Sequence, residues 1–197
     1  PDVQRRQVEL AKKHGIHGFC IHYYWFNGKR LLERPLNQFI ADPEIDFPFC
    51  ICWANENWTR RWDGQEDDVL LGQVHSEESD IAFIKDVAPL FRHKNYIRVN
   101  GRPLLVIYRV RLIPNPAATA ARWKEYCKNA GIEVPYLVAA QSFGFVDPTE
   151  VGFDAAVEFT PHNLAFEEIS HRVKKLNPEF SGRVSSYTDM VAKMQEY

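Results

Sequence analysis

The sequence predicts an α/β protein with a mainly parallel sheet, wound as a TIM-barrel-like (β/α)8 fold and present as an incomplete barrel of about five or six strand–helix units. Three observations lead there. Apolar and aromatic runs of strand length alternate with stretches whose apolar residues recur every three to four positions, the alternation that crossover connections require. No G-x-G and no G-x-x-x-x-G-K-[ST] occurs in the 197 residues, so the phosphate turns of an open nucleotide-binding sheet are missing. The ends of the strand-like runs instead carry large aromatic, amide and acidic side chains, and barrel enzymes place their chemistry at such C-terminal strand ends. A full barrel takes about 250 residues, and the chain opens on Pro1 rather than on methionine. Residues 1–197 are therefore expected to form a single partial barrel domain, an excerpt of a longer polypeptide.

The elements follow in order. Asp2 can cap a first helix with Val3, Leu10 and Ala11 on one face, ended by Gly15. Residues 16–26 read as a strand running into a loop at Asn27-Gly28, and a helix is expected over 29–41, with Leu31, Leu32, Leu36 and Ile40 at helical spacing. The nearly all-apolar run 47–53 suits a strand buried on both faces. A polar and aromatic stretch fills 54–72, and Ile81, Ile84, Val87, Leu90 and Phe91 mark the next helix. Asn100-Gly101 between 96–99 and 103–109 is a hairpin signal, because a type I′ turn needs positive φ at both central positions. Asn115-Pro116 opens a helix with Ala120, Trp123 and Cys127 on one face, stopping at Gly131. Strands at 136–141 and 153–159 and a last helix near 187–196 complete the pattern.

Composition narrows the partners. Lys+Arg is 24 against Asp+Glu 26, a net charge of −2, which leaves no basic surplus for nucleic acid or an anionic membrane. No run approaches the roughly 18 apolar residues of a membrane span. Four cysteines without a C-x-x-C spacing fit neither a disulfide scaffold nor a zinc cage, and read as buried thiols of a reducing, cytoplasmic compartment. No D-x-D pair and no H-x-x-x-H occurs, so neither metal nor cofactor is expected.

Four of the five tryptophans, Trp25, Trp53, Trp58 and Trp62, fall within residues 25–62. With His22, Tyr23 and Tyr24 they make two aromatic-rich strand ends. Core packing accounts for some of these rings. It suits Trp58 and Trp62 less well, because they stand among Asn55, Glu56, Asn57, Arg60, Arg61 and Asp63. Aromatic faces beside carboxylates, amides and guanidinium groups suit a sugar, whose apolar ring face stacks while its hydroxyls take hydrogen bonds. Work at a glycosidic bond usually takes two carboxylates. Glu56, after the strand 47–53, and Glu158, near the end of 153–159, are the candidates. A salt bridge of Glu56 to Arg60 or Arg61, or of Glu158 to Arg109, is the structural alternative. The candidate binding residues are His22, Tyr24, Trp25, Trp53, Asn55, Trp58, Arg60, Trp62, Asp63, Tyr108, Gln141 and His162. Asp63, Glu66, Asp67 and Asp68 also read as a solvated acidic face.

Longer strings carry a resemblance. Gly15-Ile16-His17-Gly18-Phe19-Cys20, then Tyr23-Tyr24-Trp25-Phe26-Asn27-Gly28, and above all the run from Cys52-Trp53-Ala54-Asn55-Glu56-Asn57-Trp58 to Thr59-Arg60-Arg61-Trp62-Asp63-Gly64 resemble the WbsX-like glycosyltransferase family. Gly101-Arg102-Pro103-Leu104-Leu105 and Phe153-Asp154-Ala155-Ala156-Val157-Glu158-Phe159 extend the likeness over nearly the whole chain. The resemblance implies a carbohydrate-active enzyme of bacterial cell-surface polysaccharide metabolism, O-antigen and lipopolysaccharide included. Its substrate would be an oligosaccharide or polysaccharide, and its donor lipid-linked or a nucleotide-sugar. The chain is also similar to the endo-α-mannosidase family of glycoside hydrolases, which implies a (β/α)8 barrel, no metal in bond cleavage, and a hydrolase as the alternative activity. A non-catalytic saccharide-binding module is a further alternative. In these families a later segment resembling W-N-E-W-x-E-G supplies a close carboxylate pair. No such segment occurs up to Tyr197, and His22 stands where the relatives carry an aromatic residue.

Overall fold

The computed structural model describes residues 2–60, 65–142, 144, 147–159, 167–174, 176–177, 180 and 182–195, with the side chains of 65–67 outside that description. Helix α1 (Asp2–Lys13) leads into β1 (Phe19–Phe26), which turns at Asn27-Gly28 into β2 (Lys29–Leu31) and then α2 (Glu33–Ala41). Next come β3 (Phe49–Trp53), β4 (Trp58–Arg60), β5 (Gln65–Leu71) and α3 (Glu77–Phe91). They are followed by β6 (Arg98–Val99), β7 (Arg102–Ile107), α4 (Pro116–Asn129), β8 (Tyr136–Gln141), β9 (Ala155–Glu158) and α5 (Tyr187–Gln195).

Local chemistry explains the element ends. Ser76 Oγ accepts the Ser79 amide at the start of α3, and Asn115 Oδ1 accepts that of Ala118 at the start of α4, each filling an orphan donor of a first turn. Asn100 and Gly101 have φ of 51° and 80° and join β6 to β7, the hairpin that the sequence predicts. Gly18 is required by crowding: a Cβ there would lie 2.7 Å from the Pro48 carbonyl oxygen, the same oxygen that accepts the Phe19 amide at 3.0 Å.

Two expectations are corrected. Asn27 and Gly28 also adopt positive φ and form a second tight hairpin, so 29–31 pair with β1 as a strand. The helix expected from Lys29 starts only at Glu33. On α1 the buried residues are Val8 and Ala11, whereas Val3 and Leu10 are exposed.

The sheet runs β2-β1-β3-β7-β8-β9, with β6 on the flank of β7. Strands β1, β3, β7, β8 and β9 are parallel neighbours. Their spatial order is their chain order, without the reversal that defines a doubly wound sheet. Register divides the faces. Ile51, Leu105 and Leu137 align across β3, β7 and β8 and meet α3 and α4 in a large core built around Phe83, Phe91 and Trp123. Cys52, Val106 and Val138 align on the other face, where a smaller cluster includes Tyr108, Ala140 and Phe159.

That second face is concave. The His22 ring on β1 lies 6.4 Å from Phe159, the residue after β9, and both reach Tyr108, at 6.1 and 5.1 Å. On a flat sheet strands four positions apart stand about 19 Å from one another. The described residues thus form a curled, open α/β sheet in which the expected strand–helix alternation is only partly kept: no helix separates β8 from β9. A closed barrel is not among them.

Candidate saccharide site at the strand ends

The C-terminal strand ends are stitched together. Ala54 donates its amide to the Tyr23 carbonyl at 3.1 Å and Tyr108 donates to the Trp53 carbonyl at 3.1 Å, extending the ladder beyond the strands. Asn55, fully buried, continues it with a side chain. Its Nδ2 donates to the Arg109 carbonyl at 2.9 Å and its Oδ1 accepts the Arg109 amide at 2.8 Å. Ser142 Oγ donates to the Tyr108 carbonyl on the far side.

This stitching brings two charged groups together. Arg109 Nη1 donates to Glu56 Oε2 at 3.0 Å, and both side chains keep part of their surface open, 22% and 35%. The expected alternative partners are corrected accordingly. Glu56 meets Arg109, which the sequence offered to Glu158, Arg60 instead lies 3.6 Å from Asp68 across the β4–β5 hairpin, and Arg61 lies outside the described residues.

Beside the pair stands an aromatic wall. Trp58, half-buried on β4, meets Tyr24 and Phe26 edge-on at 5.5 and 5.4 Å. Asn57 Oδ1 accepts the Gln73 amide at 2.7 Å, and Gln73 Nε2 donates to the Trp25 carbonyl at 3.0 Å, fixing the base of the β4–β5 hairpin to β1. The Tyr24 hydroxyl is held above the ordinary phenol range, first by burial and further by the neighbouring Glu56 carboxylate. Exposed His22, with Tyr108 and Phe159, extends the aromatic surface along the concave face. A carboxylate–guanidinium pair beside open ring faces can grip hydroxyls and stack a sugar at once.

Other candidates fall elsewhere. Trp25 and Trp53, read from the sequence as substrate-facing, are 1% and 2% exposed and belong to the helix-side core. The Trp53 ring stacks on Phe83 at 4.2 Å and its Nε1 donates to the Trp25 carbonyl. No face is left for a pyranose. Asn55 is likewise spent on the Arg109 backbone, so it positions the ion pair rather than meeting a ligand. Gln141 is buried opposite Glu158 in the β8–β9 register. That register puts Glu158 in line with Ala156 and Ala139, off the concave face, and three strands from the end of β3. Adjacency therefore does not join Glu56 to Glu158 as a carboxylate pair. Trp62, Asp63 and His162 lie outside the described residues. Missing from the candidate list were Arg109 and Phe159. Arg109 lies just beyond the end of β7 as Glu56 lies just beyond the end of β3, and only the parallel register of β3 with β7 makes them neighbours.

No group of three or more His, Cys, Asp or Glu side chains able to hold a metal occurs among the described residues. No helix among them is long and apolar enough to cross a membrane.

The family model described as Glycosyltransferase WbsX matches residues 1–197. Two relatives, each named Uncharacterized protein WxcX, come from strains of Xanthomonas campestris pv. campestris. Each is 47% identical over 196 residues, covering 100% of this chain and 28% of the relative. No solved structure matches. The chain thus spans little more than a quarter of the curated relatives' length, and on the family match over its whole length it belongs to the Glycosyltransferase WbsX family.

Proposed function

We propose that the chain is the saccharide-gripping part of a glycosyltransferase that extends bacterial cell-surface polysaccharide such as O-antigen, acting in the cytoplasm where its thiols stay reduced. The observation that carries this reading is the Glu56–Arg109 pair beside the half-open Trp58 and Tyr24 rings at the strand ends. Family membership supports the reaction class. In this reading Trp58 and Tyr24 seat a sugar ring and Glu56 accepts hydrogen bonds from its hydroxyls. Arg109 orients the carboxylate through their 3.0 Å contact, and an activated donor, lipid-linked or nucleotide-bound, brings the second sugar. Trp62, Asp63 and His162 are proposed to border the same site on the strength of their place in the sequence.

A second reading rests on the sheet. Parallel strands in unbroken chain order, curled about an aromatic concave face, suit an incomplete (β/α)8 barrel. Such a barrel could equally hydrolyse a glycosidic bond, with Glu56 as one carboxylate and the other beyond Tyr197.

The two are separated by incubating the intact parent polypeptide with labelled nucleotide-sugars and lipid-linked sugars, and separately with bacterial oligosaccharides alone. Sugar transfer that needs a donor supports the transferase; release of reducing sugar without one supports the hydrolase. Under either reading Glu56→Gln should lower turnover by at least roughly tenfold, with a melting temperature close to that of the unaltered protein. A large loss of stability with turnover retained would make Glu56 a structural ion-pair partner only.

A further inference from the structure

We propose that Cys20 is a thiol–disulfide exchange site, a nucleophilic cysteine that takes small-molecule disulfides and becomes S-thiolated. Three thiols share one patch of the concave face. Cys20 on β1 is the direct Cα partner of Cys50 on β3, and Cys52 follows two residues on, on the same face. Cys50 and Cys52 are buried, at 3% and 1% exposure, whereas Cys20 is exposed. A cluster of this kind can carry one negative charge, and it settles on the sulfur that water can reach.

The surrounding contacts favour that charge. The Cys20 thiol is held well below the ordinary thiol range, first by hydrogen bonding with the neighbouring Cys50 and Cys52 thiols and further by His22. The same hydrogen bonds, together with burial, hold Cys50 and Cys52 far above that range, so both remain neutral donors. Cys20 also opens onto space. Pairing of β2 with β1 begins only at Tyr24. Beside the residues before it runs a groove of about 640 Å³ between α1 and α2, lined by Cys20 with Leu10, Ala11, Phe19, Leu36 and Phe39. The groove lies on the helix side of β1, whereas the thiol faces the concave side with Cys50 and Cys52, where its exposure leaves it open to a small disulfide. The ionisable groups around the thiol are Cys50 and Cys52 from β3, His22 from β1, Tyr96 behind Cys50, and His14 across the groove on α1. No carboxylate lines the groove among the described residues.

The step balances without an added oxidant. The Cys20 thiolate attacks one sulfur of the disulfide, a Cys20–sulfur bond forms, the S–S bond of the reagent breaks, and the second sulfur leaves as a thiolate that takes a proton from water. The proposal is independent of the carbohydrate reading, since it uses neither Glu56 nor Arg109.

The test uses the intact native parent polypeptide and dithiodipyridine, following thiopyridone release and locating the adduct by peptide mass spectrometry. At about pH 6, where an ordinary thiol is almost wholly protonated, Cys20 should react at least about tenfold faster than N-acetylcysteine. Cys20→Ser should abolish the fast phase. Cys50→Ala and Cys52→Ala should each slow it at pH 6 and leave it little changed at about pH 9, where the thiolate forms without their help. The pH profile of the unaltered protein carries the same information if either alanine variant fails to fold. A Cys20 that is unreactive in the native protein, or no faster than N-acetylcysteine at pH 6, overturns the proposal. So does a fast phase that survives Cys20→Ser.

Discussion

Asn55 takes up both the carbonyl and the amide of Arg109, so a truncation there strips partners from two backbone groups at once. Each such group left unpaired costs about 1–3 kcal/mol where water cannot replace the partner. Asn55→Ala is expected to destabilise the protein by about 2 kcal/mol or more in chemical denaturation. An unchanged transition midpoint would show that the Arg109 backbone finds other partners. Trp58 behaves differently, because part of its ring is open. Trp58→Ala should weaken oligosaccharide binding, read by calorimetry, by about 1–2 kcal/mol; equal heats for both proteins would remove Trp58 from the site. The sequence singled out the Asn55–Trp58 run because charged and amide groups crowd its aromatics. Which member faces a ligand was not legible. Alternation along β3 sends Trp53 to the helices, and the buried state of Asn55 depends on a backbone 54 residues away.

At the opposite ends of the strands, Arg102 and Asp154 join β7, β8 and β9. Arg102 Nη1 and Nη2 each reach a carboxylate oxygen of Asp154 at 2.8 Å, and Asp154 Oδ2 accepts the Leu137 amide at 2.9 Å. Burial pushes the Asp154 carboxyl up, but the Arg102 and Leu137 hydrogen bonds outweigh it and hold the group below its usual value. A carboxylate depressed by folding stabilises the native state above its unfolded value near pH 3.9 and loses that contribution as pH falls through the lower folded value. Asp154→Asn should therefore destabilise clearly at neutral pH and much less at about pH 2 to 3. Urea denaturation across that interval checks it, and a pH-independent difference would count against the ion pair. Elements were legible where one local rule spoke alone, as with the Asn100-Gly101 hairpin and the Asn115 cap. They were misread where two rules competed. Asn27-Gly28 carries the same turn chemistry, yet the residues after it also fit a helical spacing, and pairing with β1 decided between them.

Over the whole molecule, the concave face and the β1 edge from Phe19 to Tyr23 have partners on one side only among the described residues. Exposed strand edges and open apolar faces invite association. The isolated 197-residue chain should elute from size-exclusion chromatography as soluble aggregate and be inactive, whereas the intact parent polypeptide should be dispersed and active. A dispersed, cooperatively unfolding and active short chain would mean that the open sheet needs no closure. The alternation of strands and helices announced the parallel sheet, and the lack of phosphate turns argued against a doubly wound one. The barrel reading implied a curved sheet, and the structure shows the curl where the rings of His22, Tyr108 and Phe159, far apart in the sequence, meet.

The unbroken strand order has a consequence for how the chain is made. Each parallel strand among the described residues docks onto the one translated before it, so no pairing among these strands waits for a segment still inside the ribosome. The sheet can grow in the direction of synthesis, each crossover closing a short loop before the next strand emerges. A nascent chain released after β8 would already hold β1, β3 and β7 in their final register.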